Sequence, residues 1–220
     1  MTDTVASPDD VAGFHAAYDH HTDDRVRLFR ALREVVSSPS RVLYAGSYVD
    51  VAPSIWFDDV SYVDVDRRAA RWFSHTAEVD QLIADKRQRA DGAAATKPAW
   101  AFYHADYQQP LPIQDASLDL LVSLYAGFIS EHCTRYLRPG GMLLANDSHG
   151  DASMAALDPG YQLLAVVISH EDDYRLCTDD LASYRQPKRG PAPTSQELHR
   201  TNRGIAYTKS PFAYIFQREG

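Results

Sequence analysis

The feature that most constrains this chain is the stretch 101–148, in which three apolar runs each end in a polar or glycine-containing segment. The runs cover residues 101–103, 118–124 and 142–145, and their length and composition predict β-strands. Strands that are apolar on both faces are typical of a parallel sheet with helices on both sides. In such folds the loops at the carboxyl ends of the strands carry the ligand chemistry. We therefore predict a doubly wound α/β fold whose functional residues follow the strands.

The composition limits the classes of protein to which the chain can belong. Its 220 residues suit one α/β domain with a full core, so we expect a single domain over residues 1–220. No apolar run approaches the roughly 20 residues of a membrane helix, and MTDTVASPDD lacks the features of a signal peptide. We therefore expect a cytoplasmic protein with no membrane partner. The formal charge of −8 disfavours a nucleic-acid partner. A small molecule is the expected partner, and the oligomeric state stays open.

Two segments of the constraining stretch resemble the central half of class I S-adenosylmethionine-dependent methyltransferases. They are HADYQQPLPIQDASLDLLVS and RYLRPGGMLLAND. In that family an acid follows the third strand, a D-x-S-x-D-L segment enters the fourth, and L-R/K-P-G-G turns into the fifth. The resemblance implies a Rossmann-like, mostly parallel seven-stranded sheet with strand order 3-2-1-4-5-7-6. It also implies S-adenosyl-L-methionine as the cofactor.

The resemblance further implies which acids contact the nucleoside part of the cofactor. Asp64 stands at the end of the second predicted strand, residues 60–64, where a carboxylate can accept hydrogen bonds from both ribose hydroxyls. Asp106 stands after the third strand, where its carboxylate can accept the adenine amine. Tyr107 could stack on the adenine ring. Asp66 is expected to cap the helix that follows the second strand.

The glycine motif after the first strand is altered. In the family this motif is acid-x-Gly-x-Gly-x-Gly, whereas residues 44–50, YAGSYVD, keep only Gly46. Ser47 could bond the methionyl carboxylate, and Asp50 could pair with the methionyl ammonium. The alternative is that Ser47 or Asp50 only caps the helix predicted to begin at Pro53.

The densest polar cluster is NDSHGDA, residues 146–152, after the fifth strand. Histidine side chains titrate near pH ~6.5 in model peptides, so His149 could take a proton from a methyl acceptor while Asp147 or Asp151 orients it. The alternative is that the cluster ends the strand and that Ser148 or Asp151 caps the next helix. The cluster offers too few oxygen ligands for a hard cation, so no metal is predicted.

Further substrate contacts are predicted at strand ends and in a long polar segment. Tyr125 follows the fourth strand and Asn146 follows the fifth. Arg203 and Tyr207 lie in residues 169–210, which separate the predicted sixth strand, residues 161–168, from the predicted seventh strand, AYIFQR. Segments of this length in compact domains are often lids or binding loops. We therefore predict a lid insertion over residues 169–210.

The amino-terminal residues 1–38 are predicted to form a helical cover, with helices over residues 11–18 and 25–36. As a whole, the sequence predicts methyl transfer from S-adenosyl-L-methionine to a small molecule. Two alternatives stay open. One is a catalytically inactive protein of this fold that acts as a nucleotide-sensing or interaction subunit. The other is an enzyme that uses the same cofactor for a different reaction.

Overall fold

The computed structural model describes residues 22–37, 40–94, 96–171 and 173–220. Its helices are α1 Thr22–Leu32, α2 Pro53–Trp56, α3 Arg67–Phe73, α4 Thr76–Arg89, α5 Ile129–Cys133, α6 Asp151–Ala155 and α7 Ser195–Thr201, with short 3-10 helices at Thr134–Tyr136 and Leu181–Tyr184. Its strands are β1 Arg41–Ala45, β2 Asp59–Asp64, β3 Ala99–His104, β4 Leu118–Ser123, β5 Leu137–Ala145, β6 Tyr161–His170, β7 Asp173–Cys177 and β8 Ala213–Arg218. The helix predicted over residues 11–18 lies outside the described residues.

The strands form one sheet in the order β3-β2-β1-β4-β5-β8-β6-β7. Strands β1 to β5 pair in parallel, and β8, β6 and β7 pair antiparallel. The predicted order 3-2-1-4-5-7-6 is confirmed, because the predicted sixth and seventh strands are β6 and β8. The predicted number of seven strands was wrong: within the described ranges the sheet has 8. The added strand, β7, lies inside the segment predicted as a lid insertion and pairs with β6 at the edge of the sheet.

The sheet is buried on both faces, as the apolar runs predicted. On β1, Tyr44 belongs to the core cluster that includes Phe29 of α1, while Leu43 belongs to the cluster on the other face together with Ile129 of α5. Alternate residues of one strand therefore pack into different cores. Helix α1 covers the face that includes Tyr44. It begins at Thr22 and ends at Leu32, whereas the sequence predicted a helix over residues 25–36.

One local prediction is confirmed and another is wrong. Asp66 caps α3, because its carboxylate accepts a hydrogen bond from the Arg68 amide at 2.6 Å. The Pro-Gly-Gly turn expected before the fifth strand lies within β5 instead. Gly140 has a φ of +76°, and the β4–β5 register shifts beside this segment. In the described ranges, no helix has the length and apolarity needed to cross a bilayer.

Candidate active site at the carboxyl edge of the sheet

The order of the sheet places a crevice between β1 and β4. The chain winds outwards from β1 to β3 and returns to β4 on the other side of β1. Such a reversal is where open α/β sheets bind ligands, beyond the carboxyl ends of the strands. The loops that follow these two strands touch: a Cβ added to Gly46, which has a φ of +70°, would lie 2.7 Å from the Cβ of Ala126. Gly46 is therefore required by both its backbone conformation and its neighbour.

Several donors of the loop after β1 are bonded within the protein. The amides of Gly46 and Ser47 donate to the carbonyl oxygen of Val63 at 2.8 and 3.4 Å. The amide of Tyr48 donates to Asp64 Oδ2 at 2.8 Å. The Ser47 hydroxyl is buried and donates to the Tyr48 carbonyl at 3.3 Å. The Ser47 hydroxyl predicted to bond the methionyl carboxylate, and the amides of Gly46, Ser47 and Tyr48, therefore donate to acceptors of the protein itself.

The two acids predicted to contact the nucleoside stand at neighbouring strand ends. Asp64 accepts one amide on each oxygen, from Tyr48 and, at 2.8 Å, from Asp66. A carboxylate oxygen has two lone pairs, so each oxygen can accept one more hydrogen bond. Asp106 is exposed, and its Oδ1 accepts the Gln108 amide at 2.9 Å. Both acids therefore keep acceptor capacity for a ligand.

Tyr107 is packed between the loops after β3 and β4. A Cβ added to Gly127 would lie 2.4 Å from the Tyr107 hydroxyl oxygen. The Tyr107 ring centroid is 5.9 Å from that of His132. Burial raises the pKa of Tyr107 above its ordinary value. The ring is held against α5, and its stacking on adenine stays a prediction.

Arg25 and Asp50 form an ion pair next to the loops after β1 and β4. Arg25 Nη1 of α1 lies 2.9 Å from Asp50 Oδ2 and 3.1 Å from the Tyr44 hydroxyl oxygen. Asp50 Oδ1 accepts the Ala52 amide at 3.0 Å, beside the start of α2. The Arg25 guanidinium lies 5.6 Å from the ring centroid of Tyr125. The carboxylate predicted to bind a methionyl ammonium is thus paired with a cation of the protein. Its bond to Ala52 does not cap α2, because Ala52 is the residue before the helix and no side chain caps the first turn.

His149 is oriented by a chain of hydrogen bonds from the loop after β4. The Tyr125 amide donates to Asn146 Oδ1 at 3.1 Å, which identifies that atom as the oxygen. The Ser148 hydroxyl donates to the same oxygen at 3.0 Å and lies 3.0 Å from His149 Nδ1. Because the hydroxyl proton points to Asn146, the hydroxyl oxygen accepts from His149 Nδ1–H. The lone pair of the neutral imidazole is then on Nε2.

The two carboxylates expected to orient the histidine bond to serines instead. Asp147 accepts the amide and the hydroxyl of Ser153 at 2.8 and 2.9 Å. Asp151 accepts the Ser130 hydroxyl at 2.6 Å. Asp147 therefore caps α6 by binding an amide of its first turn, a role that the capping alternative gave to other residues. Burial raises the pKa of each carboxyl group to about 6, against the opposite effect of the serine hydrogen bonds.

Residues 203–207 contact the segment that begins with the polar cluster, residues 146–152, and continues into α6. The Gly204 amide donates to the Asp147 carbonyl oxygen at 3.2 Å. The Tyr207 hydroxyl lies 2.7 Å from Ser153 Oγ, and the Tyr207 side chain is buried. Arg203 is exposed. Of the two substrate contacts predicted here, Tyr207 thus forms part of the packing beneath the surface, whereas Arg203 is free to meet a ligand.

Comparison with known proteins finds similarity in structure only. No family profile and no curated protein matches the sequence. The chain is similar to a proposed S-adenosyl-L-methionine-dependent methyltransferase from Methanococcus maripaludis, with 13% identity, a TM-score of 0.48, and 100% of this chain and 98% of that chain covered. It is similar to a methyltransferase from Geobacter sulfurreducens in complex with S-adenosyl-L-homocysteine, with 19% identity, a TM-score of 0.44, and coverage of 73% and 74%. The [4+2]-cyclase SpnF has 16% identity, a TM-score of 0.38, and coverage of 55% of this chain and 43% of that chain. Such similarity assigns no activity.

The strand order decides the fold. From β3 to β6 it is the order that the resemblance to class I methyltransferases implied. The chain has the class I methyltransferase fold, extended by one strand.

Arg25 was not predicted from the sequence as a residue of this methyltransferase-fold site, although its position on the helix indicated an internal role. Arg25 shares a helical face with Leu28, Phe29 and Leu32, all buried. A cation on that face indicates an internal partner, because an unpaired charge is costly to bury.

Proposed function

We propose that this protein binds S-adenosyl-L-methionine and transfers its methyl group to a small molecule. The observation that carries the proposal is the position of Asp64 at the end of β2, beside the crevice between β1 and β4. Both Asp64 oxygens keep acceptor capacity, which suits a pair of ribose hydroxyls. Asp106, at the end of the neighbouring strand, supports the adenine contact.

The residues fit the two halves of the cofactor to different degrees. The nucleoside half has Asp64 and Asp106 available as acceptors. For the amino-acid half, the amides of Gly46 and Ser47 are not available, because they donate to Val63. A side-chain donor for the methionyl carboxylate is therefore to be expected.

His149 is the candidate base. Bound S-adenosyl-L-methionine would supply a methyl group on a sulfonium: an acceptor atom would bond the methyl carbon in line as the carbon–sulfur bond breaks and S-adenosyl-L-homocysteine leaves. For a weak acceptor nucleophile, a base must remove the proton. The hydrogen bond from Nδ1 to Ser148 leaves the lone pair on Nε2, so His149 can accept that proton there. Asn146 fixes this arrangement by accepting from both Ser148 and the amide of Tyr125. Tyr125 itself is exposed and could contact the acceptor.

Calorimetric titration with S-adenosyl-L-methionine and S-adenosyl-L-homocysteine tests the proposal. We expect both ligands to bind, and we expect Asp64→Asn to weaken binding by about 1 to 3 kcal/mol, because a charged hydrogen-bond partner is lost. That is roughly a tenfold to hundredfold change in the dissociation constant. Asp59→Asn is the matched control, because Asp59 begins the same strand at the opposite edge, where it pairs with Arg41 at 3.2 Å. Absence of heat with both ligands, together with absence of thermal stabilisation at millimolar concentration, would contradict the proposal.

The second candidate is a protein of this fold without transfer activity that acts as a nucleotide-sensing or interaction subunit. The observation that favours it is the internal bonding of the loop after β1, where Asp50 already pairs with Arg25. Under this candidate, nucleosides without a methionyl part bind as well as S-adenosyl-L-homocysteine, and no acceptor is methylated. Titration with adenosine in parallel distinguishes the two candidates.

A further inference from the structure

Arg25 is a cation at the carboxyl edge of the sheet. Its Nη1 donates to Asp50 and to Tyr44. Among the residues that the structure describes, Nε and Nη2 have no hydrogen-bond partner. The side chain as a whole is 23% exposed. A guanidinium has five N–H donors in a planar fork, and its free edge matches the two oxygens of a carboxylate.

The guanidinium is also held in place before any ligand arrives. Asp50 is 9% exposed and is itself fixed by the Ala52 amide. The ring of Tyr125 lies 5.6 Å from the guanidinium and packs edge-on against Phe212, with ring centroids 6.4 Å apart. A donor that is already ordered loses little conformational entropy on binding. The guanidinium of Arg25 is thus ordered by contacts within the protein.

The location of Arg25 indicates which anion it meets. Two of its contacts, Asp50 and Tyr125, belong to the loops after β1 and β4, which border the crevice where this order of strands binds ligands. In that crevice the amides of Gly46 and Ser47 are bonded to Val63 and are not available to a carboxylate. Arg25 Nε and Nη2, which have no partner among the described residues, are donors that a carboxylate entering the crevice can use.

We propose that Arg25 binds the carboxylate of the amino-acid part of the ligand, and that Asp50 positions Arg25 rather than contacting the ligand ammonium. This inference rests on the proposed function, because it takes the ligand to be S-adenosyl-L-methionine or its product. It replaces the usual backbone contact of the methionyl carboxylate with a side-chain contact from α1. The protein should therefore distinguish adenosyl ligands by the presence of a carboxylate.

The test compares S-adenosyl-L-homocysteine with its decarboxylated analogue, S-adenosyl-3-thiopropylamine, by calorimetry. The analogue keeps the adenosine, the sulfur and the ammonium, and lacks only the carboxylate. The wild-type protein should prefer S-adenosyl-L-homocysteine by about tenfold to a hundredfold. Arg25→Gln should abolish most of this preference by weakening S-adenosyl-L-homocysteine alone. Arg25→Lys should keep part of it, because the charge remains but the fork does not.

Two further variants separate a ligand contact from a structural effect. Arg30→Gln is the matched control, since Arg30 lies on the same helix and its exposed side chain pairs with Asp173 of β7 at 3.1 Å. It should leave the preference unchanged. Asp50→Asn should reduce the affinity for S-adenosyl-L-homocysteine and leave that for the analogue unchanged. If Asp50 instead contacted the ammonium, both ligands would weaken equally.

The outcomes that overturn the inference differ from those that overturn the proposed function. If the wild-type protein binds S-adenosyl-L-homocysteine but Arg25→Gln keeps the preference, Arg25 does not bind the carboxylate. Equal weakening of both ligands by Arg25→Gln, in a variant whose thermal unfolding shows a folded protein, would make Arg25 a structural residue and also overturn the inference. If the wild-type protein binds neither ligand, the proposed function fails.

Discussion

Replacement of Asp151 by Asn should make the stability of the protein less dependent on pH. Asp151 is 1% exposed and accepts the Ser130 hydroxyl and amide at 2.6 and 3.1 Å. An asparagine oxygen can still accept from Ser130, so the substitution removes the charge and keeps much of the contact. The variant therefore isolates the effect of burying a carboxylate.

The magnitude follows from the pKa of the buried group. Burial raises the pKa of Asp151 from 3.8 to about 6. A folded-state pKa above the unfolded one means that the folded protein binds the proton more tightly, so the free energy of unfolding falls as pH rises through this interval. A shift of about 2 pKa units corresponds to about 3 kcal/mol. This stabilisation is complete below pH about 4 and is lost above pH about 6.

Urea unfolding at several pH values between about 4 and 8 measures this effect. Asp147, whose pKa is also raised to about 6, should keep the wild-type trend partly in place, so Asp151→Asn should remove about half of the fall in stability over this interval. Asp115→Asn is the control, because Asp115 is exposed and pairs with Arg135 at 2.9 Å. If the wild-type protein and Asp151→Asn lost the same stability between acid and neutral pH, the buried carboxylate of Asp151 would not be a cause of the pH dependence.

Two further substitutions test the polar cluster. In Gly204→Ala the new Cβ would lie 2.1 to 2.3 Å from three atoms of Asp147, so residues 203–207 must shift, and urea unfolding should show a loss of about 1 to 3 kcal/mol. Gly220→Ala, whose methyl group meets nothing within 4 Å, should show no loss, and equal stability of the two variants would contradict the packing. His149→Gln should lower kcat far more than cofactor affinity in steady-state kinetics with any acceptor that supports turnover, because a base acts in the transition state. Equal losses in both would indicate a structural residue, whereas Ser148→Ala should give a smaller loss of kcat.

The parallel half of the sheet could be predicted from the sequence because its strands are buried on both faces. Leu118–Ser123 is apolar at four of six positions, three of them consecutive, and such runs are visible without knowledge of their neighbours. The edge strand Asp173–Cys177 could not be found in the same way. Its sequence, DYRLC, carries charged residues at two of five positions and buries one residue, Tyr174. It forms a strand because its backbone pairs with that of β6, and this partner strand is in place only in the folded protein.

In the candidate site too, contacts between residues close in sequence could be predicted, and contacts between distant residues could not. The cap formed by Asp66 was predictable because its partner, the Arg68 amide, is two residues away. The ion pair of Arg25 with Asp50 joins positions 25 residues apart. The contact of Asp147 with Gly204 likewise joins two distant loops. Interactions of this kind depend on which loops meet at the edge of the sheet, and no local pattern encodes them.

The position of β8 has a consequence for how the sheet assembles. The hairpin of β6 and β7 consists of consecutive strands and can form early, by local pairing. It is joined to the parallel half only through β8, which follows both strands in the chain yet lies between β5 and β6. Until Ala213–Arg218 inserts, β5 and β6 each present an unpaired edge to other chains. Folding intermediates should therefore be most prone to aggregation just before β8 inserts, and substitutions that slow its insertion should lower the yield of folded protein without altering the candidate site.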